Sequence, residues 1–168
     1  EPLAVDAVLG ACLMLRREVL ERVGPMPEEY FLFLEETDWC WSMREAGLRV
    51  MHLPTVEVLH HSGASSKKRI RAATRIEYHR SLYRFFRKRR GVAAMALVWL
   101  YRLIKNFFYL LALALPAAFS VRQRDRWQAS AAVLAWHLMG CPASAGLRTA
   151  RLLAAAVSAA SSSGEATK

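Results

Sequence analysis

The chain has 168 residues, 54% of them hydrophobic, and a formal net charge of +10. That length holds one domain or most of one, and the charge favours anionic partners without bearing on the fold. Three widely spaced cysteines, Cys12, Cys40 and Cys141, with no Cys-x-x-Cys, argue against a disulfide framework or a zinc ribbon and suit reduced thiols in a cytosolic setting.

In chain order, Val8 to Leu15 is an apolar run of strand length. Arg17 to Val23 predicts a helix with Val19, Leu20 and Val23 on one face and Gly24 as its stop. Pro25 and Pro27 enforce a loop, and Tyr30 to Leu34 is an aromatic run too short for a helix. A second helix is expected to start around Glu36 to Asp38. Trp39, Met43 and Ala46 recur there at helical spacing, and Gly47 suits a left-handed cap. Arg49 to Leu53 and Val56 to Leu59 read as short strands broken at Pro54, the second leading to His60, His61 and a Ser62-Gly63-Ala64-Ser65 turn. Residues 1–66 are therefore expected to be mixed α/β.

Residues 67–90 form a dense basic run with Glu77 as the single acid. They predict one amphipathic helix with Tyr78, Leu82, Phe85 and Phe86 on one side. Val92 to Ser120 is largely apolar but is interrupted by Arg102, Lys105 and Asn106, so neither half reaches the roughly 20 residues of a clean span. Trp127 to Gly146 reads as another apolar helix with a Gly-Cys-Pro stop. Residues 91–157 are expected as membrane-associating helices, with spanning, interfacial and re-entrant topologies all open. Residues 158–168, rich in Ala and Ser, are expected to be disordered. The basic run beside an apolar stretch points to an anionic membrane surface, each basic residue near the leaflet contributing about 1 kcal/mol. Nucleic acid is not expected, because aromatic platforms are not interleaved with the basic residues.

The chemistry-bearing feature is the cluster Glu35, Glu36 and Asp38, set between Phe31, Phe33 and Trp39, Trp41. Two readings stand. Acids in a first turn favour the helix dipole, and Thr37 or Asp38 would cap it. Alternatively, carboxylates against an apolar wall have raised pKa values, as a general base requires, or they face a divalent cation. His60, entering a Gly/Ser turn, is either a surface residue or a ligand.

The segment VLGACLMLRREVLERVGPMPEEYFLFLEETDWCWSMREAGLRVMHLPTVEVLHHSGASS resembles the C-terminal half of the catalytic domain of family 2 glycosyltransferases of the bacterial rhamnosyltransferase-like kind. The likeness covers residues 5–66 and rests on an ordered set. A Gly-Ala strand precedes an Arg-Arg helix start, then a Gly-Pro/Pro loop and an aromatic run into an acidic motif. A helix ending Arg-Glu-Ala-Gly follows, and then a strand ending in His. The resemblance implies a GT-A fold, an α/β Rossmann-like architecture of which this is the acceptor-binding part, followed here by amphipathic and apolar helices. It implies metal-dependent, inverting transfer from a nucleotide-sugar donor to a saccharide or lipid-linked acceptor. The setting it implies is cell-surface polysaccharide synthesis at the cytoplasmic face of the bacterial inner membrane.

Under this resemblance Glu36 stands at the position of the family's catalytic base, usually an Asp. Glu35 and Asp38 position the acceptor or the loop, and the choice between Glu36 and Asp38 as base stays open. His60 matches a His that completes the metal or diphosphate site, with His61 as the alternate and magnesium or manganese as the cation. Ser65 matches a Ser near the diphosphate. Gly10 and Ala11 match a small pair that lets backbone approach the substrate. Trp39 and Trp41 are candidates for stacking on an acceptor sugar, with Trp39 favoured as core. The sequence contains no Asp-x-Asp and no glycine-rich phosphate loop. With Glu1 as its first residue, the chain is expected to be a piece that does not turn over alone. The alternative is a non-catalytic membrane-binding module, or a remnant lacking the donor site.

Overall fold

The computed structural model describes residues 1–60 and 71–147. The chain divides into two compact units, Glu1–Ser65 and Ser66–Lys168. Of the described residues 62% are helical and 3% are strand, and no Rossmann-like α/β sheet is present among them. The α/β, GT-A expectation is corrected accordingly.

The first unit holds β1 (Leu3–Ala4), α1 (Arg17–Val23), α2 (Glu35–Glu45) and β2 (Met51–His52). β1 and β2 pair antiparallel with Leu3 opposite His52, and Val5 N–H extends the ladder to Val50 O at 3.0 Å. The strand expected over 8–15 does not form, because the chain turns at Gly10 and Ala11 and leaves Met14 95% exposed. The strand expected over 56–59 does not form either. Val56, Val58 and Leu59 are exposed, and a strand without a ladder leaves its backbone to water. His60 therefore ends no strand.

The helices follow the sequence pattern more closely. α1 has the predicted bounds and stops at Gly24, whose φ of 84° no β-carbon favours. α2 ends in a Schellman motif, with Leu48 N–H donating to Met43 O and Gly47 N–H to Arg44 O, both at 2.9 Å. Val19 from α1 and Trp39, Cys40 and Met43 from α2 form the core with Val50, covered by Val5, Leu13, Leu15 and Met26.

The second unit contains α3 (Arg71–Phe119) and α4 (Val121–Leu138). α3 is interrupted at Gly91, which has φ 85° and ψ 177°. Arg102 donates to Tyr78 Oη at 3.3 Å, although 24 residues of straight helix would span about 36 Å. The chain therefore folds back at Gly91, and the limbs 71–90 and 92–119 run antiparallel. α4 returns along both. Asn106 donates to Ser130 O at 2.9 Å and Trp99 Nε1 to Cys141 Sγ at 3.4 Å, which sets α4 antiparallel to the second limb. Arg75 donates to Ser130 Oγ at 2.9 Å, and Tyr83 Oη meets His137 Nε2 at 2.6 Å, which sets it parallel to the first. The result is an up-down-up three-helix bundle with Ile76, Tyr83, Val133 and Trp136 at its centre. The single amphipathic helix expected over 67–90 is thus the first limb of this bundle from residue 71 on. Residues 67–70 and 158–168 lie outside the described residues.

α4 stops at Gly140-Cys141-Pro142, where Cys141 N–H reaches Trp136 O at 2.9 Å. The loop that follows is held by Arg80. Its guanidinium bridges Glu77 at 2.7 Å and donates to Pro142 O at 3.2 Å and to Ala145 O. Glycine suits this place, because φ at Gly146 is 124° and a β-carbon would also push on the Arg80 and Glu77 side-chain ends 2.9 Å away.

The bundle interior is unusually polar. His137 Nδ1 lies 2.8 Å from Val133 O, so that nitrogen carries the proton and Nε2 accepts from the Tyr83 hydroxyl. His79 Nδ1 likewise donates to Arg75 O at 2.7 Å, and its ring meets His137 edge-on with centroids 5.3 Å apart. Burial lowers the pKa of both histidines, that of His79 to about 4, and Arg102 and Arg75 add to the effect at His79. The unfolded chain takes up these protons near pH 6.5 and the folded one does not until lower pH. Stability is therefore full above about pH 6.5 and is lost as pH falls from there toward 4. Urea midpoints at pH 7.5 and pH 5 check this, the expected result being a lower midpoint at pH 5. His79→Gln reduces the difference and leaves the part due to His137.

Candidate functional site

The acids sit at the start of α2, and the path into that helix is strained. Phe33 and Leu34 have φ of 70° and 68°, both left-handed and neither glycine, at a cost of order 1–3 kcal/mol each. Leu34 takes the N-cap position and offers no side-chain cap. Glu35, Glu36 and Asp38 are all within the first turn. The N-cap position considered for Thr37 or Asp38 is thus held by Leu34. The favourable dipole applies to all three acids, yet their surroundings differ sharply.

Asp38 is fully buried, with 0% exposure, and its backbone carbonyl accepts from Ser42 Oγ at 3.3 Å. Glu35 is half-buried with one oxygen, Oε2, shielded from solvent and without a hydrogen-bond partner. Desolvation raises its pKa, opposed by a hydrogen bond from its own backbone and reinforced by the neighbouring Glu36 charge. Glu36 is half-buried. It packs beside Gly10, where a β-carbon would stand 3.6–3.7 Å from its side-chain carbons. The fold therefore brings together Gly10 and Glu36, which are 26 positions apart in sequence.

The remaining site residues are placed as follows. Ala11 is exposed in the turn next to Gly10. Trp39 is buried in the core, and its Nε1 donates to Gly24 O at 3.0 Å, which ties the end of α1 to α2. Trp41 is half-buried, donates to Glu45 at 2.8 Å and lies under Arg44 at 5.7 Å. Arg44 in turn pairs with Asp6 at 2.7 Å, an exposed bridge worth at most about 1 kcal/mol. His60 is exposed. His61 and Ser65 lie outside the described residues. Among the described residues no three His, Cys, Asp or Glu side chains gather into a group that could hold a metal ion.

Sequence reasoning passed over two features. One is the strained pair Phe33-Leu34, for which no glycine or asparagine gave a signal. The other is the polar interior of the bundle, whose only sequence trace is His79 and Tyr83 at helical spacing within a run read for its arginines.

Comparison with known proteins gives one consistent direction. Over 80 residues, 48% of this chain and 26% of the relative, the chain is 36% identical to an N-acetylglucosaminyl-diphospho-decaprenol L-rhamnosyltransferase of Mycobacterium tuberculosis. It is 30% identical over 88 residues to a dTDP-rhamnosyl transferase of Shigella flexneri, covering 52% of this chain and 29% of the relative. It is 27% identical over 85 residues to a low-salt glycan biosynthesis hexosyltransferase of Haloferax volcanii, 51% of this chain and 25% of the relative. The chain thus spans between 25% and 29% of the length of these curated relatives. No family profile matches the chain, and no solved structure matches it. Across about half its length, then, the chain shares distant similarity with rhamnosyl- and hexosyltransferases.

Proposed function

We propose that this chain is part of a glycosyltransferase, contributing the carboxylates that act on the acceptor. The observation that carries the reading is the coincidence of a 36% identical match to a rhamnosyltransferase with a first-turn acid cluster at a strained helix start. The reaction is transfer of a rhamnosyl or other hexosyl unit from a nucleotide-sugar donor to a saccharide or lipid-linked acceptor, with inversion. Glu36 takes the proton of the acceptor hydroxyl, whose oxygen bonds to the anomeric carbon as the bond to the departing diphosphate breaks. Burial argues for Glu36 over Asp38, since a fully buried carboxylate offers no surface to a sugar hydroxyl. Glu35, with its raised pKa and shielded oxygen, borders the same first turn and orients the approach. A lipid-linked acceptor would set the reaction at the cytoplasmic face of the inner membrane, in cell-surface polysaccharide assembly.

The test is a transfer assay on the polypeptide as its gene encodes it, with dTDP-rhamnose and a lipid-linked N-acetylglucosamine acceptor, read as labelled lipid product. Formation of a product of inverted anomeric configuration supports the reading. No transfer to that acceptor, or to a panel of hexose-based acceptors, from any of the common nucleotide sugars overturns it.

A further inference from the structure

Limb 92–119 is apolar on both faces, with Leu113 and Ala117 buried and a second apolar stripe left exposed. Its inward stripe carries Arg102 and Asn106, which bond to Tyr78 and Ser130, beside Met95 and Trp99 in the core. Its outward stripe is Leu97, Tyr101, Ile104, Phe108, Leu111 and Leu115, spaced four or three residues apart and each between 47% and 73% exposed. The stripe runs from Leu97 to Leu115, about 27 Å, without a charged residue in it. Lys105 borders it, with its ammonium over the Tyr101 ring at 5.7 Å. Of the most apolar 18 residues of α3 only 6% are buried. A continuous exposed apolar surface of this extent marks an interaction face.

Charge identifies the occupant. Exposed arginines flank limb 92–119 along the chain, Arg84 and Arg87 before Gly91, and Arg122 and Arg124 after Ser120, against the one exposed acid Asp125. Apolar surface bordered by cations matches an anionic lipid surface, acyl chains meeting the stripe and headgroups the guanidinium groups. Geometry identifies the orientation. The inward face is covered by limb 71–90 and α4, so a crossing would carry Arg75, Arg80 and Arg102 into hydrocarbon, at about 2.5–3.5 kcal/mol for each charge at mid-bilayer. A helix lying in the plane avoids this, and Lys105 can extend its stem to the headgroups.

We infer that limb 92–119 docks in the plane of an anionic bilayer, sinking the Leu97–Leu115 stripe into one leaflet while the other two limbs stay on the aqueous side. The inference rests on surface composition and packing, not on the transferase reading. A failure here leaves sugar transfer to soluble acceptors untouched.

The test uses the purified chain and vesicles of phosphatidylcholine, with and without 30 mol% phosphatidylglycerol. Pelleting with the anionic vesicles is expected at low salt, with at least tenfold weaker partitioning for Phe108→Glu/Leu115→Glu and for Leu97→Glu, circular dichroism being unchanged. Orientation is read from Arg87→Cys and Arg122→Cys by an added membrane-impermeant maleimide, scored above wild-type labelling. Labelling of both ends on bound vesicles is the in-plane result. Protection of one end only means a span and overturns the inference, as does equal vesicle binding by the glutamate variants. If vesicles are ignored and sedimentation shows a dimer that Phe108→Glu disperses, the stripe is an interface between copies and the inference fails.

Discussion

Replacing Glu36 with Gln is expected to lower sugar transfer by about 10²–10⁴-fold, the usual contribution of a positioned general base, while donor affinity stays unchanged. The substitution keeps the side chain's length and its place beside Gly10, so the loss is chemical and not steric. Turnover and donor binding measured separately decide the point. Wild-type turnover by this variant would remove Glu36 as base. A second readout needs no substrate. The Glu36 charge is one of the influences holding the Glu35 pKa up, so Glu36→Gln lowers that pKa, and carboxyl titration by NMR follows it. Asp38→Asn mixes chemistry with folding. A buried carboxylate acts on the helix that holds it, so this variant changes stability as well as rate.

Trp136→Ala is expected to destabilise the bundle by about 3–5 kcal/mol, the range for deleting a large buried aromatic. Trp136 is 1% exposed and stacks on Tyr83 with centroids 6.3 Å apart and planes 6° from parallel. Arg80 lies over its ring at 5.9 Å, and its Nε1 donates to Pro142 O at 3.1 Å. Removing it opens a cavity where α4 meets limb 71–90 and loosens the loop that Arg80 also holds. Trp136→Phe keeps most of the volume and loses the donor, which costs about 1 kcal/mol for the hydrogen bond. Chemical denaturation of the three proteins measures both. A loss under about 1 kcal/mol for the alanine variant would mean that the helices pack around some other centre.

How much of this was legible beforehand varies by element, and the variation has physical causes. Helix signals are local, and those of the first unit held, whereas the helix expected over Trp127 to Gly146 runs from Val121 to Leu138. Arg17 to Val23 with Gly24, and Gly47 as the left-handed residue after α2, could be read because capping and 3.6-residue periodicity are contained in neighbouring residues. Strand signals need a partner. Residues 8–15 and 56–59 carry strand-like composition, yet only Leu3–Ala4 and Met51–His52 find a ladder among the described residues, so the α/β expectation failed. Composition also flagged the basic and apolar stretches without showing that Gly91 folds them against each other.

The sequence by itself determined the helix segments of the first unit, the acid cluster at the start of α2, and the resemblance that directs attention to sugar transfer. Only the tertiary structure decided that Asp38 is fully buried while Glu36 is half-buried beside Gly10. It also decided that limb 92–119 turns Arg102 and Asn106 inward beside Met95 and Trp99 and leaves the Leu97–Leu115 stripe exposed. Both depend on contacts between residues distant along the chain, as Gly10 and Glu36 or Tyr78 and Arg102 are. A one-dimensional pattern records what each residue prefers, not which residue it will meet.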